Sequence, residues 1–178
     1  MNSRIAASLL ATALAVVAAH DEEAERPGLP EIGAPAPSFR LNDHEGNAVS
    51  IGGTSGRWTV LAWYPKARTS GCTREVCSLR DAAADFEGLD VEVHGLSLDD
   101  VANQATFHEE QELNFPLLSD PDGSASAKYG VLPEGARWTR RVTVVIDPEG
   151  IVRHVAEKVD VTNHGADLVA LVERLAAE

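Results

Sequence analysis

One nearly continuous apolar run, WTVLAWY at 58–64, most constrains what this chain can fold into. The run is rich in β-branched and aromatic residues, and Pro65 ends it. Such a run is typical of a strand whose two faces are both buried in a sheet that helices cover. The sequence therefore predicts an α/β protein with this strand among its central ones.

The rest of the chain alternates strands and helices and then closes with a hairpin and one more helix. Residues 39–41 and 48–51 flank the turn sequence DHEGN and predict a hairpin, and DPEG predicts a second one. The other predicted elements are strands at Val91–Leu96, Phe115–Leu118, Val142–Ile146 and Ile151–Val155 and helices at Ser70–Phe86, Val101–Leu113, Ser124–Tyr129 and Ala166–Ala177. This order predicts the α/β class: a thioredoxin-like fold with a mixed central sheet, flanking helices and an added N-terminal β-hairpin.

The N-terminus has the pattern of a secretory signal peptide. Arg4 provides a positive start, Ile5–Ala19 is apolar, and Val17 and Ala19 fit the small-residue cleavage pattern. A helix of fifteen residues rises only about 1.5 Å per residue, which is too short for a bilayer core of about 30 Å. The predicted division is a signal at 1–19, a flexible tether at 20–37 and one domain at 38–178, with an uncleaved anchor as the alternative. The predicted location is secreted or periplasmic.

The charge of the chain disfavours two classes of partner. The sequence holds 15 basic and 28 acidic residues and has a formal net charge of −13. Nucleic acid and anionic membrane surfaces would have to bind against this field. We therefore expect no nucleic-acid partner and, after signal cleavage, no membrane association.

Cys72 and Cys77 are the only cysteines of the chain, and both fall in one predicted helix. Residues five apart on a helix differ by about 7.5 Å of rise, so their Cα atoms lie beyond the roughly 7 Å limit for a disulfide. An exported protein with two cysteines ordinarily suggests a structural disulfide, but this spacing disfavours one. The pair suits a switch in which the bond forms only when the helix opens locally.

Position favours the thiolate form of Cys72. The sulfur belongs to the first turn of the helix, where free backbone N–H groups stabilise an anion. The preceding PKARTSG is small and polar, and Thr69 can turn its hydroxyl towards the reacting atoms. Arg141 is a candidate for a nearby cation, although spacing alone does not identify it. Cys77 lies one and a half turns deeper, beside apolar residues, and is expected to stay a neutral thiol.

The segment YPKARTSGCTREVC resembles the active-site loop of peroxiredoxins, specifically the PrxQ or bacterioferritin-comigratory-protein subfamily of AhpC/TSA-like proteins. Its pattern Pro-x-x-x-Thr-x-x-Cys is met by Pro65, Thr69 and Cys72, its C-x4-C by Cys77, and its G-C-T-x-E by residues 71–75. GLSLDD, FPLLSD, KYGV and RVTVVIDPEG resemble later segments of the same family, in the same order.

The resemblance implies a thiol-dependent peroxidase that reduces hydrogen peroxide and organic hydroperoxides. In it Cys72 is the peroxidatic cysteine and Cys77 the resolving one, while Pro65, Thr69 and Arg141 shape the peroxide pocket. Oxidation gives a sulfenic acid and then an intramolecular disulfide, which a thioredoxin-like protein reduces. The resemblance implies no cofactor and no metal, and the protein is expected to be a monomer.

The chain departs from the subfamily pattern at a few positions. Ala67 and Arg68 replace acidic residues of the loop, and Ser70 stands where proline is common. Gln104 occupies a position often held by histidine, and Trp63 replaces a frequent phenylalanine. Of these, Arg68 is expected to alter the charge at the pocket mouth and with it the preferred peroxide.

Two other functions stay open at the level of sequence. A thioredoxin-like thiol-disulfide oxidoreductase needs a close C-x-x-C pair, which this chain lacks. A non-catalytic exported protein with one structural disulfide would keep that bond and its helix content in both redox states. The six histidines form no i, i+3 or i, i+4 pair that would indicate a metal site, and they are interpreted as solvated loop and strand-end residues.

Overall fold

The computed structural model describes residues 28–178, and these form seven strands and five helices. The strands are β1 Phe39–Asp43, β2 Ala48–Ile51, β3 Trp58–Trp63, β4 Val91–Ser97, β5 Leu117–Ser119, β6 Val142–Ile146 and β7 Val152–Ala156. The helices are α1 Ser70–Asp81, α2 Ala83–Gly88, α3 Val101–Glu110, α4 Ser124–Lys128 and α5 His164–Ala176. The predicted α/β class is therefore confirmed.

All seven strands join one mixed sheet in the order β2-β1-β5-β4-β3-β6-β7. Strands β3, β4 and β5 run parallel, while β6 pairs antiparallel with both β3 and β7. At the other edge, β1 pairs antiparallel with β2 and with β5. The prediction of parallel strands followed by an antiparallel pair is thus correct, and the arrangement is thioredoxin-like.

Strand β3 is buried along its whole length, as its apolar run predicts. Val60 and Ala62 point into a core that α1, α2, α3 and α5 cover. Leu61 and Trp63 point to the opposite face, into a second core with α4 and the β1–β2 pair. Because successive side chains of a strand alternate between faces, one apolar run serves both cores.

The predicted helix at 70–86 is in fact two helices that meet at Ala82. The N–H of Ala82 bonds to the carbonyl of Leu79, three residues back, so the last turn of α1 tightens before α2 begins. Within α1, Cys72, Val76 and Leu79 recur at the spacing of one buried helix face. Both cysteines therefore lie on one continuous helix.

Part of the predicted tether belongs to the domain. Gly33 donates a backbone hydrogen bond to Val152, Ala36 donates one to Gly150, and Pro35 forms an isolated bridge with Ile151. The ordered domain therefore begins by residue 33 rather than at 38. The predicted signal peptide at 1–19 and the tether up to residue 27 lie outside the described residues. Between residues 28 and 178, no helix is long and apolar enough to cross a membrane.

Candidate active site

The loop between β3 and α1 lies where the central parallel strands end. The N–H of Tyr64 bonds to the carbonyl of Leu96 in β4 at 2.9 Å, which extends the sheet by one step beyond β3. The hydroxyl of Thr139 donates to the carbonyl of Tyr64 at 3.0 Å. The loop therefore leaves the sheet at a fixed point, and Pro65 starts it directly after this anchor.

A buried carboxylate holds the middle of the loop. Asp99 lies in the turn after β4, and its Oδ2 accepts hydrogen bonds from the N–H of Ala67 at 2.9 Å and from the hydroxyl of Ser97 at 2.8 Å. Its other oxygen pairs with the ammonium of Lys66. Charge-assisted bonds of this kind are about twice as strong as neutral ones, so Asp99 fixes the approach of the loop to the helix.

A buried hydrogen-bond network around Gln104 also holds this loop. The hydroxyl of Tyr64 donates to the side-chain oxygen of Gln104, whose nitrogen donates to Ser97 and to the carbonyl of Leu118. Burial raises the pKa of Tyr64 far above its usual range, so the phenol stays neutral. Gln104 thus completes a buried polar network that joins the loop to β4 and β5.

Cys72 and Arg141 are brought together across 69 positions of sequence. Cys72 lies in the first turn of α1 and is only 1% exposed, and its Sγ is 3.3 Å from Nη2 of Arg141. Arg141 immediately precedes β6, which pairs directly with β3. Because the sheet places the start of β6 beside the end of β3, the fold itself supplies the cation that the sequence could only suggest.

Glu75 holds the guanidinium in place. Its Oε2 pairs with Nη1 of Arg141, and the Glu75 side chain is fully buried one turn after Cys72. Arg141 thus has one nitrogen on the carboxylate and another on the sulfur. The guanidinium and the start of α1 therefore both present positive charge to the Cys72 sulfur.

Thr69 is the N-cap residue of α1, but its side chain makes no capping bond. Its hydroxyl instead donates to the carbonyl of Lys66 at 3.0 Å. This leaves the hydroxyl oxygen free to accept a hydrogen bond, and it leaves the first N–H groups of α1 without a side-chain partner. Thr69 is exposed, so a small molecule can reach it from solvent.

Cys77 is a free, half-buried thiol on the same helix as Cys72, which is also free. Its Sγ lies 3.6 Å from the side-chain oxygen of Gln111, just beyond the end of α3. Arg80 donates to the backbone carbonyl of Gln111 at 2.7 Å and ties the same part of α1 to α3. While α1 is intact, Cys77 is therefore held against Gln111 rather than against Cys72.

The interpretation of every histidine as solvated is wrong. His94 and His164 are buried, and His164 lies 3.2 Å from Glu75. His44 and His108 stack with ring centroids 3.6 Å apart, a pairing that requires the fold because the two are distant in sequence. Across residues 28–178, no group of three metal-binding side chains comes together.

These features define a class of protein: a thioredoxin-like fold that presents a cysteine at a helix N-terminus, in contact with a half-buried guanidinium, for thiol redox chemistry. The sequence matches the AhpC/TSA family over residues 32–155. The chain belongs to that family, and it is a peroxiredoxin, a thiol-dependent peroxidase.

Individual relatives narrow the family assignment to the Bcp/PrxQ peroxiredoxins. The putative peroxiredoxin Bcp of Coxiella burnetii is 37% identical over 145 residues, which cover 78% of this chain and 96% of that protein. Peroxiredoxin Bcp of Escherichia coli is 34% identical over 135 residues, 72% of this chain and 86% of that one. Among solved structures, peroxidoxin BcpB of Mycobacterium tuberculosis superimposes with a TM-score of 0.74 at 31% identity, covering 81% of this chain and 97% of that one.

A further solved structure describes the alkyl peroxide reduction activity of the bacterioferritin comigratory protein of Xanthomonas campestris. It superimposes with a TM-score of 0.73 at 27% identity, and the match covers 78% of this chain and 92% of that one. The predicted family and the predicted thioredoxin-like fold are thus both confirmed.

Proposed function

We propose that Cys72 is the peroxidatic cysteine of this peroxidase and Cys77 its resolving cysteine. The observation that carries the assignment is the 3.3 Å contact between the Cys72 sulfur and Arg141 at the start of α1. Cys77 lies beyond the first turn of α1 and contacts Gln111 rather than Arg141. Since the thiolate is the reactive form of cysteine, the first reaction belongs to Cys72.

The first step is a displacement at oxygen. The Cys72 thiolate attacks one oxygen of ROOH, an S–O bond forms, the O–O bond breaks, and the leaving alkoxide or hydroxide takes up a proton as alcohol or water. Arg141 stabilises the charge as it moves from sulfur to the leaving oxygen. Thr69 accepts a hydrogen bond from the peroxide, and Pro65 shields the pocket beside it. Cys72 becomes a sulfenic acid.

The second step requires α1 to open, because the two thiols cannot meet on an intact helix. Opening releases Cys77 and Arg80 from Gln111 and exposes Val76 and Leu79, which are buried in the reduced form. The Cys77 sulfur then attacks the Cys72 sulfur, the hydroxyl leaves as water, and a disulfide forms. A thioredoxin-like dithiol reduces this disulfide by exchange.

The substrate proposal covers hydrogen peroxide and organic hydroperoxides. Its support is the alkyl peroxide activity described for the Xanthomonas campestris relative and a loop that opens to solvent at Thr69 and Arg68. Arg68 also pairs with Glu110 at 2.9 Å, so part of its charge is neutralised at the pocket mouth. Comparing catalytic efficiency for hydrogen peroxide and for cumene hydroperoxide tests this choice.

Export of the protein and a monomeric, membrane-free mature form also belong to this proposal. The support is the pattern of Arg4 followed by the apolar run Ile5–Ala19. Mass analysis of the chain recovered from cells should find it shortened by residues 1–18 or 1–19. Sedimentation of that form should give one protomer. A full-length chain in the membrane fraction would overturn the export proposal.

Steady-state peroxide consumption tests the function as a whole. The purified chain with thioredoxin, thioredoxin reductase and NADPH should consume peroxide over many turnovers, and Cys72→Ser should abolish this. Arg141→Lys should slow the peroxide step, because lysine lacks the second nitrogen that lets arginine contact Glu75 and Cys72 together. Full activity in Cys72→Ser would refute the assignment.

A further inference from the structure

Two buried polar atoms next to the peroxide site have only each other. The Oε1 of Glu75 and the Nδ1 of His164 are 3.2 Å apart, but they do not meet in the geometry of a hydrogen bond, and neither has any other hydrogen-bond partner in the described part of the chain. Both side chains are more than nine-tenths buried. Buried polar atoms in native structures are nearly always paired. Each of these two atoms is within hydrogen-bond distance of the other, so a small side-chain rotation joins them in one hydrogen bond.

The other side of the imidazole fixes which nitrogen carries the proton. Its Nε2 lies 3.1 Å from the hydroxyl of Thr143 in β6. Nδ1 faces a carboxylate oxygen and must donate, so Nε2 accepts from the Thr143 hydroxyl. This gives one connected row: Thr143, His164, Glu75, Arg141 and then the Cys72 sulfur.

We propose that His164 is a positioning residue of the peroxidase, which orients Glu75 so that Arg141 faces the Cys72 sulfur. This inference rests on the proposed function, because it assigns His164 to the peroxide step of that reaction. His164 acts on the Cys72 sulfur only through Glu75 and Arg141. Without its Nδ1 donor, the Glu75 carboxylate is free to rotate, and Arg141 loses the support that aims its second nitrogen.

Charge explains why a neutral histidine suits this position. Burial first, and then the positive charge of Arg141, lower the pKa of His164 to about 4, although Asp160 and Asp167 act in the opposite direction. A cationic imidazole would compete with Arg141 for the single carboxylate of Glu75. The neutral imidazole supplies a hydrogen bond and leaves the ion pair intact.

Backbone contacts next to His164 fix the position of this residue relative to α1. The N–H of Gly165 donates to the hydroxyl of Ser78 at 2.9 Å. A Cβ at Gly165 would lie only 2.2 Å from the carbonyl oxygen of Ser78, so the close crossing of α5 over α1 requires glycine here. This crossing holds the imidazole against Glu75 while α1 is folded, and opening of α1 separates them.

Three variants of His164 separate this role from simple packing. His164→Asn places an amide N–H near the position of Nδ1 and keeps a donor for Glu75. His164→Gln reaches towards Thr143 instead, and His164→Leu removes both contacts. His154, a half-buried histidine of β7, provides the matched control as His154→Leu.

The readout is the rate of the first oxidation by hydrogen peroxide, followed by stopped-flow in a Cys77→Ser background. His164→Leu and His164→Gln should be slower by about tenfold or more, since small misplacements of a reacting group have effects of that size. His164→Asn should recover most of the rate, and His154→Leu should match the parent. Alkylation of Cys72 by iodoacetamide, which has no O–O bond to polarise, should slow much less than the peroxide reaction.

Equal peroxide rates in folded His164→Leu, His164→Gln and the parent would overturn the inference. If His164→Leu fails to fold, the comparison of His164→Asn with His164→Gln decides, and equal rates in that pair would also overturn it. A parent protein that does not react with peroxide would instead refute the proposed function, so the two failures are distinguishable. Nitrogen-15 NMR adds a direct check: His164 should show the neutral Nδ1–H tautomer at pH 7.

Discussion

The variants Arg74→Gly and Arg74→Ala should differ in the rate at which the disulfide between Cys72 and Cys77 forms. Arg74 lies on the exposed face of α1, between the two cysteines. In an exposed helix interior, glycine is less favourable than alanine by about 1 kcal/mol. Both variants lose the same arginine side chain and keep the same buried contacts, so this difference acts on the opening of α1. Because 1.4 kcal/mol corresponds to a factor of ten, Arg74→Gly should raise the open population about fivefold over Arg74→Ala.

The assay is a single turnover with one equivalent of hydrogen peroxide, stopped by acid and analysed by intact mass. The first oxidation of Cys72 should proceed at similar rates in the two variants, which serves as the internal control. Disulfide formation should be about five times faster in Arg74→Gly, and overoxidation by excess peroxide should be lower. Equal rates of disulfide formation, in variants whose free energies of unfolding do differ, would refute the opening of α1 as a step.

Three further results are expected. As the pH falls from 7 to 5, the unfolded chain protonates His164 near its ordinary pKa of about 6.5, while the folded chain, in which the pKa of His164 is about 4, does not. Urea unfolding should therefore show that the wild type loses about 2 kcal/mol more of its free energy of unfolding than His164→Asn does over this pH range. Equal losses would contradict this. Asp99→Ala should lower the free energy of unfolding by about 2 kcal/mol or more, because it leaves the buried N–H of Ala67 unpaired; no change would show that the loop is held by other contacts. Amide hydrogen exchange across residues 72–80 should be faster after peroxide treatment and little changed in β3, whereas equal exchange in both redox states would mean that α1 never opens.

Local pattern predicts the elements of this fold well and their joints less well. The run of β3 and the hairpin sequence after β6 carry clear signals, because side-chain period and turn chemistry are both local. The break between α1 and α2 at Ala82 carries none: the alanines there favour a continuous helix, and the break is visible only in the structure.

The candidate site likewise contains residues that local sequence predicts and one contact that it does not. Cys72, Cys77, Thr69 and Pro65 lie within one stretch of sequence, so spacing and resemblance can predict them as site residues. The contact of Arg141 with Cys72 spans 69 positions and depends on the pairing of β6 with β3. Such contacts have no local signal.

The effect of Ser78→Ala depends on a contact outside α1. From the sequence, Ser78→Ala is expected to stabilise the helix and slow disulfide formation, because alanine has the higher helix propensity. The structure gives the Ser78 hydroxyl a bond from the N–H of Gly165, so the substitution also loosens α5 from α1. The two effects oppose each other, and Arg74 is the cleaner site for testing helix opening.

The separate roles of the two cysteines are tested most directly by the mass of each single variant after one equivalent of hydrogen peroxide. Cys77→Ser should gain one oxygen atom, and a dimedone adduct should map to Cys72 as a trapped sulfenic acid. Cys72→Ser should gain nothing on the same timescale, because Cys77 has neither the helix N-terminus nor Arg141 beside it. Rapid oxidation of Cys72→Ser, together with an unreactive Cys77→Ser, would reverse the roles and contradict the account.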